Sequence, residues 1–263
     1  MAIIDVHAHI LPAIDDGSKN MGTTRCMLRM AYGQGIRAII ATPHYTRHRW
    51  HTRPEQIREL AEQVQKEADR ITPGMKIYAG QEINYFDGMH EYLAQGRLLT
   101  LADSRFVLVE FFPSVPWSQM ETAVRRLTLA GYTPVIAHAE RYECLYSGDR
   151  LRALKDAGSY VQMNYQSLTA SGFLSDIWSL KERNWCRKAL LEGCVDFLGT
   201  DMHGLRHRPP RCEEACGWIK NKAGEDVYQR LTEENPTRII NDGESLRERI
   251  QKIMAGDNNN FQE

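Results

Sequence analysis

Short apolar runs recur along this chain, and nearly every one closes on a residue able to bind a metal ion; that repetition restricts the fold more than any other feature. Residues 2–6 read as a strand that delivers His7 and His9 in D-V-H-A-H, with Asp15-Asp16-Gly17 just beyond. Side chains two apart on a strand point the same way, so His7 and His9 can grip one ion. Residues 38–42 (A-I-I-A-T) lead through Pro43 to His44, 76–82 end on Glu82, 106–110 on Glu110 and 133–138 on His138. A sixth strand is read at 160–164, and a seventh at 196–200 (D-F-L-G-T) opens onto Asp201 and His203. Helical spacing fills the intervals at 20–35, 54–71, 87–96, 118–131, 151–157 and within 178–193, the second opened by Pro54 and closed by Pro73-Gly74.

Seven strands alternating with helices predict a parallel sheet of βαβ units. Strands pack about 4.8 Å apart, so seven laid flat would spread roughly 29 Å, whereas metal–ligand bonds are about 2 Å long. Groups on the first and last strands cannot share an ion across such a sheet. If these residues form one site, the sheet must curl until its ends meet. The expected fold is therefore α/β, a distorted seven-stranded (β/α) TIM-like barrel with its site on the C-terminal face. Further helices are read at 212–223 and 225–234, with Asn235-Pro236 breaking the chain before a last short helix. One domain is expected over 1–255, followed by a polar, disordered tail at 256–263.

The ligand candidates are His7, His9, Asp16, His44, Glu82, Glu110, His138, Asp201 and His203: five imidazoles, four carboxylates and no thiolate. Each alone has an ordinary structural reading, as a helix cap or a satisfied core histidine. Together they exceed the needs of one ion and suit two or three, with manganese, iron and zinc all compatible. Cations so paired can hold a water as hydroxide for in-line attack and stabilise both entering and leaving oxygens at phosphorus. A phosphate substrate also needs fixed positive charge, which Arg141, three residues past His138, and Arg208, in R-H-R-P-P, can supply from the same rim. The loop carrying Arg47, Arg49 and Arg53 with Tyr45 and Trp50 could flank a phosphorylated aromatic ring, Tyr45 and Arg47 being the expected contacts; it reads equally well as a solvated loop. Asp15 reads as a turn or capping residue.

A rival chemistry is present in the sequence. Cys144 to Arg150 has the C-x5-R spacing of cysteine-dependent tyrosine phosphatases, in which a thiolate attacks phosphorus within a backbone cradle. No apolar strand precedes Cys144, and Asp149 would set a carboxylate against the phosphate, so this reading is set aside. The remaining cysteines, at 26, 186, 194, 212 and 216, show no zinc-ribbon spacing and read as reduced thiols of a cytoplasmic protein. A net charge of −1 gives no global attraction to nucleic acid or anionic membrane. No apolar run approaches the ~18 residues of a membrane span, and no leader is read, so neither nucleic-acid binding nor stable membrane insertion is expected.

The set D-V-H-A-H, A-I-D-D-G-S, A-T-P-H-Y, G-Q-E-I, L-V-E-F, V-I-A-H-A-E-R-Y and T-D-M-H with R-P-P, running from Ile4 to about Ile240, resembles one known family. It is that of the bacterial manganese-dependent protein tyrosine phosphatases of capsule and exopolysaccharide synthesis, within the polymerase and histidinol phosphatase (PHP) superfamily. The resemblance implies a barrel of PHP type and a trinuclear manganese centre. By position, His7, His9, Glu82 and Asp201 would hold the first metal; Glu82 would bridge to a second held by Glu110 and His138; Asp16, His44 and His203 would hold the third. It further implies that Arg141 and Arg208 bind phosphate, and that the substrate is phosphotyrosine on the tail of a bacterial tyrosine autokinase controlling polysaccharide export. Two alternatives are a small-molecule phosphatase, such as one for histidinol phosphate, and a catalytically silent binding module.

Overall fold

The computed structural model describes residues 2–169 and 177–254; the polar tail expected at 256–263 lies outside them. The elements run β1 (Ile3–Ala8), α1 (Met21–Gly33), β2 (Ile36–Ala41), β3 (His44–Tyr45), α2 (Pro54–Ile71), β4 (Lys76–Ala79), β5 (Glu82–Asn84), α3 (Met89–Ala94), β6 (Phe106–Glu110), α4 (Trp117–Leu129), β7 (Thr133–Ile136), α5 (Arg150–Asp156), β8 (Tyr160–Asn164), α6 (Ile177–Leu191), β9 (Phe197–Gly199), α7 (Glu213–Ala223), α8 (Glu225–Gln229) and α9 (Asn235–Met254). Every strand pairing is parallel, in the orders β1-β2-β4 and β3-β5-β6-β7-β8-β9.

The single strand expected at 76–82 is two. Gly80 and Gln81 separate β4 from β5, and Gly80 is closely packed: a Cβ there would lie 2.9 Å from Ile40 Cγ2 and 3.1 Å from Leu101 Cδ2. Gln81 turns its side chain to receive the Leu99 N–H. Pro43, which has no N–H to give a ladder, breaks the neighbouring strand at the same level and separates β2 from β3. The strands divide at these breaks into a three-stranded and a six-stranded sheet, with backbone bonds continuing alongside: Thr42 N donates to Ala8 O at 2.9 Å and Glu82 N to Pro43 O at 3.1 Å.

The free edges come together. Asp201 N donates to His7 O at 2.8 Å and His9 N to Met202 O at 3.0 Å, so the chain beyond β9 lies along the end of β1. Within this curl Val6, Ile40, Leu108, Val135 and Phe197 form one buried cluster. The alternate residues Ile39, Val107, Val109, Ile136 and Leu198 face outward into a larger cluster shared with the helices, as period-two alternation requires. Pairing in β1 slips by a residue between Asp5 and Ala8. Such a bulge re-aims the side chains after it; Val6 fills the interior while His7 joins the polar cluster above.

The break expected at Asn235-Pro236 does not occur. A π-helical turn over Arg230–Glu234 joins α8 to α9, and α9 is 20 residues long rather than short. Pro236, which has no N–H to give to the helix, follows directly on this π-helical turn. Asn235 Nδ2 donates instead to Asp196 O, fixing the start of α9 to the strand bundle. Farther along, Gly243 lets this helix close on the 101–103 turn; a Cβ there would run into the Ala102 carbonyl oxygen.

Candidate metal centre

All nine ligand candidates lie beyond or at the C-terminal ends of the strands, and the structure draws them into one cluster. Glu82 is its middle: Oε2 lies 3.3 Å from His7 Nε2, 3.3 Å from His9 Nε2 and 2.9 Å from His44 Nδ1, and Oε1 is 2.8 Å from His138 Nε2. Asp201 Oδ1 approaches His7 Nε2, His9 Nε2 and His203 Nδ1 at 3.6, 3.5 and 3.4 Å. Asp16 Oδ1 lies 3.3 Å from His203 Nε2 and 3.5 Å from His44 Nε2, and Glu110 Oε1 is 3.5 Å from His138 Nε2. His7, His9 and Glu82 are sealed from solvent, whereas the Asp16 side chain is 43% exposed, so the cluster opens on the Asp16 side. Donor atoms gather in three sets: His9, Asp16, His44 and His203; His7, His9 and Asp201; His44, Glu82 and Glu110. His9 and His44 each belong to two sets and His138 to none, so the grouping differs from the one implied by position along the chain, in which Glu82 joins His7, His9 and Asp201 and His138 joins Glu110.

The donor atoms fit cations better than they fit one another. His9 Nδ1 is 2.8 Å from Asp15 Oδ2 and His203 Nδ1 is 2.9 Å from the Asp201 carbonyl oxygen; both oxygens are acceptors, so in the neutral rings the proton sits on Nδ1 and Nε2 faces the cluster. His44 Nδ1, Glu82 Oε2 and His203 Nε2 are buried without a hydrogen bond, Glu82 Oε2 being close to three ring nitrogens and aligned with none. Buried polar atoms are rarely left in that state. A set of nitrogen and oxygen donors converging on one volume is what a divalent cation would satisfy.

Charge in the cluster is balanced internally. Burial would depress His138, but hydrogen bonds to Glu110 and Glu82 lift it to about 9. Burial acts likewise on His9, and the carboxylates of Asp15, Asp201 and Glu82 raise it well above the usual histidine range. Glu82 and Asp201 move the other way: burial would raise both, and the facing imidazoles, with Arg141 at Asp201, hold them well below ordinary carboxylates. Entry of a cation would therefore displace imidazole protons.

Two arginines close the rim. Arg141 Nη2 lies 2.6 Å and Arg208 Nη1 2.8 Å from Asp201 Oδ2, with side chains 36% and 31% exposed. Each keeps further N–H donors free of that bond. His138, Asp201 and Arg208 have φ of 31°, 50° and 48°, a region costly for residues other than glycine, and such strain gathers where geometry serves a site.

The basic loop meets the centre differently from expectation. Tyr45 is buried and packs near Phe86, and Arg47 lies over the Phe86 ring at 4.8 Å. Trp50 is the loop residue against the cluster, stacked on His44 with centroids 5.0 Å apart and planes at 17°. Asp15, read as a turn residue, receives Gly17 N in such a turn and also holds His9 and the His44 N–H. Gln162 and Asn164, on the one strand with no ligand at its end, are buried beside the cluster; their only mark in the sequence is two polar residues two apart in an otherwise apolar run.

A family model described as "Capsular polysaccharide synthesis, CpsB/CapC" matches residues 3–241. The chain belongs to the CpsB/CapC family. It is 34% identical over 241 residues to the tyrosine-protein phosphatase CpsB of Streptococcus pneumoniae, covering 91% of this chain and 99% of that one. It is 33% identical over 233 residues to the tyrosine-protein phosphatase YwqE of Bacillus subtilis, covering 88% and 89%. Among solved structures, one from work on YwqE of Bacillus subtilis and CpsB of Streptococcus pneumoniae, described as unique metal-dependent tyrosine phosphatases, superposes with a TM-score of 0.82 at 30% identity, covering 91% and 95%. A mutant organophosphorus hydrolase from Deinococcus radiodurans, at 12% identity and TM-score 0.55, shares the fold alone, with 90% and 92% covered.

In this CpsB/CapC chain the C-x5-R segment has no thiolate cradle. Arg150 Nη1 donates to the Cys144 carbonyl oxygen, and burial raises the thiol against the opposing charge of Arg150. Cys144→Ser is expected to leave phosphatase turnover nearly unchanged, read as kcat on a phosphotyrosine peptide; loss of activity with cations still bound would restore the cysteine mechanism.

Proposed function

We propose that this chain is a metal-dependent phosphatase that hydrolyses phosphotyrosine in proteins, and that its substrate is the tail of a bacterial tyrosine kinase governing polysaccharide export. The observation that carries the reading is the cluster of converging nitrogen and oxygen donors, open on the Asp16 side, with Arg141 and Arg208 at its rim. The names of the relatives support it. We take the two sheets as one distorted seven-stranded barrel of PHP type, a single domain to residue 255, working in the cytoplasm on two or three manganese ions. His7, His9, Glu82 and Asp201 would hold one ion, Glu82 with Glu110 and His138 a second, and Asp16, His44 and His203 a third.

Bound cations would supply Lewis-acid charge and lower the pKa of a water beside them, which is the chemistry that phosphomonoester hydrolysis needs. The protein's own part is placement and charge. Arg141 and Arg208, tethered through Asp201, present their remaining guanidinium donors to the non-bridging phosphate oxygens and stabilise the charge that develops on them. Glu82 and Asp201 are held ionised in a buried setting by the imidazoles that face them and, at Asp201, by Arg141, so two carboxylates stand ready for cations. Trp50 covers one face of His44 and keeps bulk water from that side. The histidines and carboxylates able to act as nucleophiles are the proposed cation ligands, so the reading is direct hydrolysis without a phosphoenzyme.

The test compares rates on a phosphotyrosine peptide and on histidinol phosphate with manganese-loaded protein. Higher kcat/KM on the peptide is expected. Preference for histidinol phosphate would move the same centre to small-molecule hydrolysis, and no activity on either would leave a binding module.

A further inference from the structure

One backbone group sets the direction of hydrogen bonding across the floor of the centre. The N–H of His138 can only donate, and it points at Gln162 Oε1 at 2.7 Å. The amide must therefore present its oxygen there, since the reversed amide would set two donors against each other. His7 Nδ1 lies 3.1 Å from the same oxygen and so must also be a donor. With its proton on Nδ1, a neutral His7 turns a bare Nε2 toward Glu82 Oε2 at 3.3 Å and toward His9 Nε2 at 3.2 Å. The same amide orientation makes Gln162 Nε2 the donor to Asn164 Oδ1 at 3.0 Å. Asn164 is then fixed with Nδ2 donating to Asp201 Oδ2 at 3.1 Å, the oxygen both arginines hold.

The network has little freedom to rearrange. Gln162 is fully buried, and its strand partner across β8 and β9 is Phe197, which fills the interior below. A Cβ at Gly199 would stand 2.6 Å from His7 Cβ and 3.0 Å from Gln162 Nε2, so glycine alone leaves room for this pair. Asn164 is anchored from outside the centre as well, its N–H donating to Glu140 Oε1 at 3.0 Å.

We infer that Gln162 is a positioning residue of the metal centre: its amide holds His7 in the tautomer that offers Nε2 to a cation and, through Asn164, sets the Asp201 carboxylate. The inference rests on the metal-centre reading proposed above. Partners that orient a ligand in this way change metal affinity by about 10–100-fold when removed.

Two variants of the full chain, Gln162→Leu and Gln162→Glu, are compared with the parent protein by chelator competition for zinc and manganese and by metal content after dialysis. Gln162→Leu is expected to bind both ions about 10–100-fold more weakly. Gln162→Glu keeps an oxygen acceptor for His138 N–H and His7 Nδ1–H but gives up the donor to Asn164 Oδ1, and is expected to recover part of that loss. In the ¹⁵N spectrum of the zinc-loaded parent protein, His7 should show a protonated Nδ1 and a metal-bound Nε2. Unchanged affinity in Gln162→Leu, equal weakness in both variants, or metal on His7 Nδ1 would each overturn the inference, the last even if neither variant folds. Failure of the parent protein to bind either ion would instead remove the metal centre itself, and this role with it.

Discussion

Glu82→Gln is expected to lower phosphatase turnover by about a thousandfold, or roughly 4 kcal/mol of transition-state stabilisation. Four imidazoles converge on this one fully buried carboxylate, from the ends of β1 and β7 and from β3. Glutamine has nearly the same shape, so packing is retained while the charge is lost. Its amide group would also turn a donor toward a ring nitrogen that ought to face a cation. The measurement is kcat on a phosphotyrosine peptide together with bound manganese by elemental analysis. Turnover within tenfold of the parent protein would remove Glu82 from the centre.

Arg141→Ala is expected to cost about 10²–10³ in kcat, the usual effect of removing one group that stabilises charge developing in a transition state. Its guanidinium is partly exposed and bonded to Asp201, which keeps Arg208 and Asn164 as partners when Arg141 is gone. The melting temperature should therefore change little. Arg141→Lys should recover only part of the loss, because an ammonium cannot bond Asp201 and a phosphate oxygen with one planar fork. A rise in KM with kcat unchanged would show instead that Arg141 binds substrate and transition state alike.

Local chemistry made much of the fold legible. Pro54 at the start and Pro73-Gly74 beyond the end bracket α2, which occupies Pro54–Ile71 as its spacing predicts. Likewise β6 and β8 fall on the apolar runs at 106–110 and 160–164. What the sequence hid depends on neighbours distant in the chain. Gly80, where β4 gives way to β5, is packed closely against Ile40 and Leu101, and Pro236 follows directly on a π-helical turn.

The centre divides along the same line. His7, His9, Glu82, His138 and Asp201 stand at strand ends, where a parallel sheet gathers polar groups, so position alone brought them forward. Asp15, Gln162 and Asn164 act through other side chains, and nothing in their local spacing tells a partner of histidine from a turn or a buried amide. Trp50 reaches His44 by the path of its loop, which residue order does not encode.

The most direct test of the account is to strip the purified protein with a chelator, assay it on a phosphotyrosine peptide, and restore manganese while counting ions per chain. The account predicts loss of nearly all turnover on stripping, recovery on addition, and two or three ions bound at full activity. Undiminished turnover in protein shown by elemental analysis to be free of metal would contradict it.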